Sequence, residues 1–284
     1  MVKNVQKLFG VIGDPIGHSM SPAIHNDAFS HQNIQASYHA FHVKEQHLED
    51  AVKGFKAIGI SGFNVTVPHK TAIIPFLDEM DELAEAIGAV NTVKNENGKL
   101  IGYNTDGPGY VAALKEEMNS PLRDKKTLII GAGGAARGIY YSLVYEGVSH
   151  IDICNRTIEK AEKLIHDCPY KATSAALSMH AAAEKLSQYD LIIQTTSIGM
   201  SPNTHASPLT LENVNQEAFV SDIIYNPLKT AFLQEAETRG TKIQNGIGMF
   251  VYQGALAFQI WTGVFPDTKR MKKIVLEKLG GTIC

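Results

Sequence analysis

The apolar positions of this chain fall into two rhythms. Short, nearly unbroken aliphatic runs alternate with longer stretches in which apolar residues recur every three or four positions. The first rhythm marks strands buried on both faces, the second amphipathic helices. In the second half the runs lie at 126–130, 150–154, 191–194, 219–224 and 242–244, with a weaker one at 171–174. Helical patterns separate them, 135–146 and 158–165 among others. That alternation predicts a doubly wound, parallel sheet. In the first half, strands are predicted at 7–12, 36–43 and 60–67, and helices from Ser21 to about His31, over 46–58 and over 78–88. Residues 89–94 and 99–103 flank Asn95-Glu96-Asn97-Gly98, an Asn-Gly hairpin signal. Further helices are predicted at 110–118, 247–262 and 267–279, with Pro108 and Gly109 as the crossing between domains. The fold class is therefore α/β in two domains, an N-terminal α/β domain and a Rossmann-type domain, divided after residue 107. The pattern commits the helix from 247 onward to neither.

The strand at 126–130 runs straight into Gly131-Ala132-Gly133-Gly134-Ala135-Ala136-Arg137. Gly131 permits a tight turn, Gly133 lets backbone approach a ligand, and small residues let a helix begin against the sheet. Strand, glycine turn, helix and strand form the unit that sets a pyrophosphate on a helix N-terminus. The residues after the second strand choose the cofactor. An NAD site carries an acid there for the ribose hydroxyls. Here the residues are Asn155-Arg156-Thr157. A guanidinium binds a phosphate through two N–H groups, so the reading is NADP(H). The plainer alternative is a surface Arg156 beside a helix-capping Thr157.

Other candidates sit at element ends. In Gly17-His18-Ser19-Met20-Ser21-Pro22, Ser21 before Pro22 reads as an N-cap. Ser19 and Ser21 there offer hydroxyls at a positive helix end, a place for a small carboxylate, or else one caps and the other lies in a loop. Lys70, in Asn64-Val65-Thr66-Val67-Pro68-His69-Lys70, lies just past a strand end and is either an acid–base group or an ordinary surface lysine. Asn91 and Asp106 bracket the hairpin and can approach one another, or Asp106 only caps the next helix. Thr195 to Met200 and Tyr225 follow strands, and Gln253 is a polar residue in an otherwise apolar helix.

Composition narrows the function classes. With 284 residues, two modest cores are affordable. A net charge of −3 gives no electrostatic case for nucleic acid or anionic membrane. No apolar run reaches a membrane span, and no signal-peptide pattern opens the chain. Cys154, Cys168 and Cys284 lack CxxC spacing, which fits a reducing cytoplasm without disulfides. The eleven histidines form no HExxH or zinc spacing, so no metal is expected.

These motifs, in this order along nearly the whole chain, resemble the shikimate dehydrogenase family. Gly17 to Pro22 resembles its carboxylate motif and Asn64 to Lys70 its catalytic-lysine motif. Asn91-Thr92 and Asn104-Thr105-Asp106-Gly107 resemble its substrate and catalytic-aspartate motifs. Gly131 to Arg137 and Asn155-Arg156-Thr157 resemble its NADP loops, and Asn245-Gly246-Ile247-Gly248-Met249 with Gln253 its C-terminal motif. The resemblance implies NADP-dependent interconversion of 3-dehydroshikimate and shikimate, on the route to aromatic amino acids. It implies Lys70 and Asp106 as catalytic residues. Ser19, Ser21 and Tyr225 would hold the substrate carboxylate, and Thr66, Lys70, Asn91, Asp106 and Gln253 its hydroxyls and carbonyl. Gly131, Ala132, Gly133, Gly134 and Ala135, with Asn155, Arg156, Thr157, Ile158, Glu159 and Lys160, would hold NADP. Ile223 and Gly246 would line the nicotinamide side, with Glu82 near the site. The domains implied are 1–107 for substrate and catalysis, 108–245 for NADP, and 246–284 as helices returning to the substrate domain. A monomer or homodimer in the cytoplasm is expected. The alternatives are an NAD-dependent quinate/shikimate dehydrogenase, which should carry an acid after the second strand, and a non-catalytic cofactor sensor, which has no need of Lys70 and Asp106 together.

Overall fold

A computed structural model describes residues 6–118 and 120–280. Cys284 thus lies outside the described residues. In chain order the elements are β1 (Lys7–Gly13), α1 (Ser21–His31), β2 (Ala36–His42), α2 (Leu48–Ala57), β3 (Gly62–Val65), α3 (His69–Ala72), β4 (Glu79–Met80), α4 (Glu82–Ile87), β5 (Thr92–Glu96) and β6 (Lys99–Tyr103). They continue with α5 (Asp106–Glu117), β7 (Lys126–Ile130), α6 (Gly134–Tyr145), β8 (His150–Cys154), α7 (Ile158–His166), β9 (Ala176–Leu177), α8 (Met179–Glu184), β10 (Leu191–Gln194), β11 (Phe219–Asp222), α9 (Ala231–Thr238), β12 (Lys242–Gln244), α10 (Ile247–Thr262) and α11 (Thr268–Lys278). The chain divides into two compact units, Met1–Thr105 with Val251–Cys284, and Asp106–Phe250. No described helix is long and apolar enough to cross a membrane.

The first unit is built on a mixed six-stranded sheet in the order β2-β1-β3-β5-β6-β4. β1 is parallel to β2 and β3, while β5 runs antiparallel to both β3 and β6. Alternation along the strands splits the core. Ile12, Phe63 and Val65 pack with Val52 and Phe55 of α2. Phe9, Val11 and Tyr38 pack with Phe29 of α1 and with Ala257, Phe258 and Trp261 of α10. The last helices therefore belong to the N-terminal sheet. The Trp261 indole donates to the Val93 carbonyl at 2.9 Å. It reaches that strand because Gly62 has no side chain: a Cβ there would lie 2.4 Å from Trp261 Nε1. On the outside, Arg270 of α11 makes two hydrogen bonds, of 2.5 and 2.7 Å, to Asp27 of α1.

The second unit holds a parallel sheet in the order β12-β11-β10-β7-β8-β9. β10 and β11 are buried throughout and β7 over 127–130, as strands covered on both faces should be. Chain order reverses between β7 and β10, and their C-terminal ends lie side by side.

Some elements differ from their predicted extents. Only Thr173 of the weak 171–174 run bridges to β8, and the edge strand is β9 instead. The 78–88 segment divides: Glu79–Met80 pairs with β6, and the Asp81 carboxylate then caps α4 by accepting from the Ala84 amide at 3.1 Å. α5 starts at Asp106 rather than near 110. Pro108 is tolerated there because a first-turn N–H has no intrahelical partner to lose. The boundary between the units accordingly falls just before Asp106.

Gly62→Ala should destabilise the first unit. The methyl would displace Trp261 and break its bond to Val93, at a cost of about 2–4 kcal/mol from overpacking and an unpaired carbonyl. Urea unfolding followed by fluorescence of Trp261, the single tryptophan, reads this directly. An alanine variant as stable as the parent would remove the indole contact from the account of how α10 is held.

Candidate active site

In the first unit the candidate residues gather at one edge of the sheet. Ile12 pairs with Val65, so the C-terminal ends of β1 and β3 are neighbours. β5 is antiparallel, so its first residue, Thr92, lies beside Asn64, and it also pairs with Tyr103 at the end of β6. This edge thus brings together Ser19 and Ser21 after β1, Thr66 and Lys70 after β3, Asn91 before β5, and Asn104 and Thr105 after β6. Thr66 extends the ladder by one bond, its amide donating to the Ile12 carbonyl at 2.9 Å. Lys70, half-buried, falls in the short helix α3, and its carbonyl accepts from the Val90 amide at 2.8 Å. His69 is fully buried and its Nε2 donates to the Val43 carbonyl at 2.6 Å, which anchors α3 beside Lys70.

The side chains at this edge are buried, and polar. Asn91 accepts from the Thr105 amide at 2.8 Å and donates through Nδ2 to the Thr105 hydroxyl at 2.9 Å. The Thr92 hydroxyl donates to Asn91 Oδ1 at 3.1 Å and accepts from Asn64 Nδ2 at 3.0 Å. Asn64 Oδ1 in turn accepts from the Tyr38 hydroxyl at 2.7 Å. Ser21 does not cap its helix as predicted. Met20 holds the cap position and Ser21 the first helical turn, and the Ser19 hydroxyl oxygen accepts from the Ser21 amide at 3.3 Å. Tyr38, Asn64, Thr92 and Thr105 are members of this network that the reading of single motifs did not pick out as site residues. Gln253 is half-buried on α10 in the same unit. Glu82, grouped with the cofactor residues, is the exposed first residue of α4 in this unit.

In the second unit the turn after β7 packs against the residues that follow β10. Gly131 has φ +111°, and a Cβ there would lie 2.7 Å from Thr195 Oγ1, so the turn requires glycine on both counts. No side chain caps α6, which opens at Gly133 and Gly134; added Cβ atoms on these glycines meet nothing within 4 Å. The first amides of α6 are left facing open space. A hollow of about 240 Å³ lies there, lined by Ala132, Gly133, Gly134, Arg137, Lys160, Lys163 and Leu164. Helix amides and cations around such a hollow fit the phosphates of a dinucleotide. Arg137 and Lys163 are already paired with Asp167, at 3.1 and 3.0 Å. Arg156 and Lys160 are exposed. Thr157 occupies the cap position of α7 without making a capping bond, so the plainer role considered for it is not taken up. The Asn155 amide nitrogen donates to the Thr157 carbonyl at 2.7 Å, which shapes the turn that presents Arg156. Gln194, buried at the end of β10, holds the Thr195–Met200 loop through bonds to the backbone of Thr196 and Ile198.

Three comparisons bear on this geometry. Residues 11–93 match the model of the shikimate dehydrogenase substrate binding domain, 113–224 that of shikimate / quinate 5-dehydrogenase, and 246–276 that of the shikimate 5'-dehydrogenase C-terminal domain. The chain is 59% identical to the shikimate dehydrogenase (NADP(+)) of a Geobacillus species, over 98% of this chain and 100% of that one. The chain belongs to the shikimate dehydrogenase family. Its fold is also that of the Listeria monocytogenes shikimate 5-dehydrogenase in complex with shikimate and NAD, at 36% identity and TM-score 0.91, covering 97% and 99% of the two chains. The Thermus thermophilus shikimate 5-dehydrogenase in complex with NADP(H) and shikimate superposes with TM-score 0.86 at 35% identity, covering 95% and 99%.

One further buried group shapes the family's second unit. Asp222 ends β11 with no exposed surface. Its carboxylate accepts from the Ile224 amide at 2.9 Å and the Thr230 hydroxyl at 2.7 Å, fixing the turn that carries Ile223 and Tyr225. Gly246 abuts that turn: a Cβ on it would lie 1.9 Å from the Ile223 carbonyl oxygen. Tyr225, partly buried, packs against Phe250 with ring centroids 5.6 Å apart. Burial pushes the Asp222 carboxyl up to about 6, against the pull of its two hydrogen bonds. An unfolded aspartate titrates near about 3.9. Between those values the native state holds a proton that the unfolded chain has released, so stability falls as pH rises through the window. At roughly 1.4 kcal/mol per unit the loss is on the order of 3 kcal/mol. Asp222→Asn removes the titration. The stability of the Asn variant relative to the parent should therefore climb from about pH 4 to about pH 6 and level off above it. Urea unfolding of both proteins across that range checks the sign, and a difference that stays flat with pH refutes it.

Proposed function

We propose that this chain is an NADP-dependent shikimate dehydrogenase, interconverting 3-dehydroshikimate and shikimate in aromatic biosynthesis. The observation that carries the reading is the sheet edge of the first unit. Hydroxyls, amides and a lysine from four separate chain segments gather there, in a chain matching its Geobacillus relative end to end. In this reading Ser19, Ser21 and Tyr225 hold the carboxylate, and Thr66, Asn91 and Gln253 the hydroxyls. Reduction of a ketone leaves charge on its oxygen, which needs a proton. Lys70 Nζ delivers that proton, with Asp106 as its paired partner. NADP(H), when bound, supplies or takes up the hydride. Gly131, Ala132, Gly133, Gly134 and Ala135 would hold its pyrophosphate, and Asn155 to Lys160 its adenosine end, with Arg156 on the 2′-phosphate. Ile223 and Gly246 would line the nicotinamide side, with Glu82 near the site. In this reading most substrate residues, with Lys70, belong to the first unit, and Asp106 and Tyr225 to the second, together with the nucleotide residues from Gly131 to Lys160. A cytoplasmic monomer or homodimer completes the reading, and the free thiols of Cys154 and Cys168 fit that location.

Lys70→Met keeps the length of the side chain and removes its proton. Turnover of shikimate with NADP, followed by absorbance of the reduced nicotinamide, should fall by roughly 10²–10⁴, the usual contribution of acid–base catalysis. NADP affinity should stay within a factor of about two, since the nucleotide residues are elsewhere. Near-parental turnover at saturating shikimate would take Lys70 out of the mechanism.

Cofactor choice is tested at Arg156. Hydrogen bonds to a charged group contribute about 1.5–3 kcal/mol. Arg156→Ala should thus weaken NADP binding by roughly ten- to a hundredfold and leave NAD nearly unaffected. The ratio of kcat/KM for the two cofactors at fixed ionic strength is the readout. A parent protein that prefers NAD, or an equal loss for both cofactors in the variant, would contradict the assignment.

A further inference from the structure

Tyr38 lies on β2, away from every motif quoted for the family, and its side chain has a mere 1% of its surface exposed. It is held from every side. Its backbone amide and carbonyl point outward from the edge strand and bond to the Asn26 side chain of α1, at 2.9 and 2.8 Å. Its ring stacks on His25, with centroids 4.5 Å apart and planes 14° from parallel. His25 is itself fully buried and has no hydrogen-bond partner at either nitrogen, so what it contributes there is a flat face. Burial holds that imidazole neutral, down at about 3. With backbone and ring both fixed, the Tyr38 hydroxyl has one place to be.

That place is beside Asn64 Oδ1, 2.7 Å away. Accepting from Tyr38 sets which way round the Asn64 amide stands, and therefore that its Nδ2 donates to the Thr92 hydroxyl and to the Asn91 carbonyl, at 3.0 and 3.1 Å. Thr92 then donates to Asn91 Oδ1. The donors run in one direction, from Tyr38 through Asn64 and Thr92 to Asn91. We propose that Tyr38 is a positioning residue for substrate binding, its buried hydroxyl orienting Asn91 through Asn64 and Thr92. The inference rests on the proposed role of Asn91 at a substrate hydroxyl. Without the phenol, the Asn64 amide gains a second orientation, and substrate binding loses the fraction of molecules in the wrong one.

Tyr38→Phe keeps the ring and removes the hydroxyl. In the full chain, KM for shikimate should rise about tenfold and shikimate binding measured by calorimetry without cofactor should weaken equally, while KM for NADP stays within about twofold. Phe29→Leu serves as the control: it loosens the same core without touching the hydroxyl, and should lower the melting temperature with both KM values unchanged. An unchanged KM for shikimate in folded Tyr38→Phe overturns the inference, as does an equal rise in Phe29→Leu, which would make Tyr38 a packing residue. Absence of shikimate turnover in the parent protein overturns the substrate reading and this inference with it; activity in the parent with no effect in Tyr38→Phe overturns this inference alone.

Discussion

The first unit depends on a single constraint: polar side chains removed from water must find partners in the protein. An amide or hydroxyl left unpaired there costs about 1–3 kcal/mol. Asn64, Asn91, Thr92, Asn104 and Thr105 are all buried at one sheet edge. Each therefore has to be placed to tolerance by its neighbours, and the donors and acceptors match. A substrate rich in hydroxyls needs such a surface, because amides fixed beforehand do not lose orientational freedom when it binds. The antiparallel β5 is what makes the edge possible. A parallel strand would bring its C-terminal end to β3's; the reversed strand brings its start, Asn91 and Thr92, and the hairpin then returns β6 to deliver Asn104 and Thr105.

The NADP reading sets the second unit the opposite demand, since that ligand is charged. There backbone would carry the site in place of buried side chains. The start of α6 has no side-chain cap on its first N–H groups. Such groups suit phosphate because they are dipoles with no counter-charge of their own. Arg137 and Lys163 add positive charge at the rim, yet Asp167 sits against both. The cations without that partner, Arg156 and Lys160, are those the NADP reading assigns to the phosphate.

The sequence was legible wherever the signal was local. Strands β7, β8, β10 and β12 have the predicted limits, and for β7 and β10 the reason is that strands buried on both faces read as apolar runs. The hairpin turn is equally local, with Asn97 and Gly98 both at positive φ as an Asn-Gly turn requires. Helix starts were less legible. Ser21 before Pro22 satisfies every rule for a cap, but Met20 takes the position and Ser21 falls in the first helical turn. Asp106 starts α5 through Gly107, Pro108 and Gly109, residues whose intrinsic preferences argue against a helix. The buried network was not legible at all as a network. Positions 38, 64, 91 and 105 share no period, and only the sheet topology makes them neighbours.

The same topology explains why Lys70 and Asp106 need no direct mutual signal in the sequence. The Lys70 carbonyl accepts from the Val90 amide at 2.8 Å, and Asn91 is the next residue. Asn91 Oδ1 accepts from the Thr105 amide at 2.8 Å, and Asp106 is the next residue. Each acid–base candidate is thus one hydrogen bond and one covalent step from the same buried asparagine. The Lys70 link runs through the main chain of Val90 and does not depend on a rotamer, whereas the Asp106 link runs through the Asn91 side-chain amide, itself bonded on both sides. Asn91 is therefore more than a hydroxyl ligand in the proposed mechanism: its side chain holds the Thr105 backbone one residue before Asp106, so that a substitution there would disturb Asp106 without touching it, while the backbone bond at Lys70 stands.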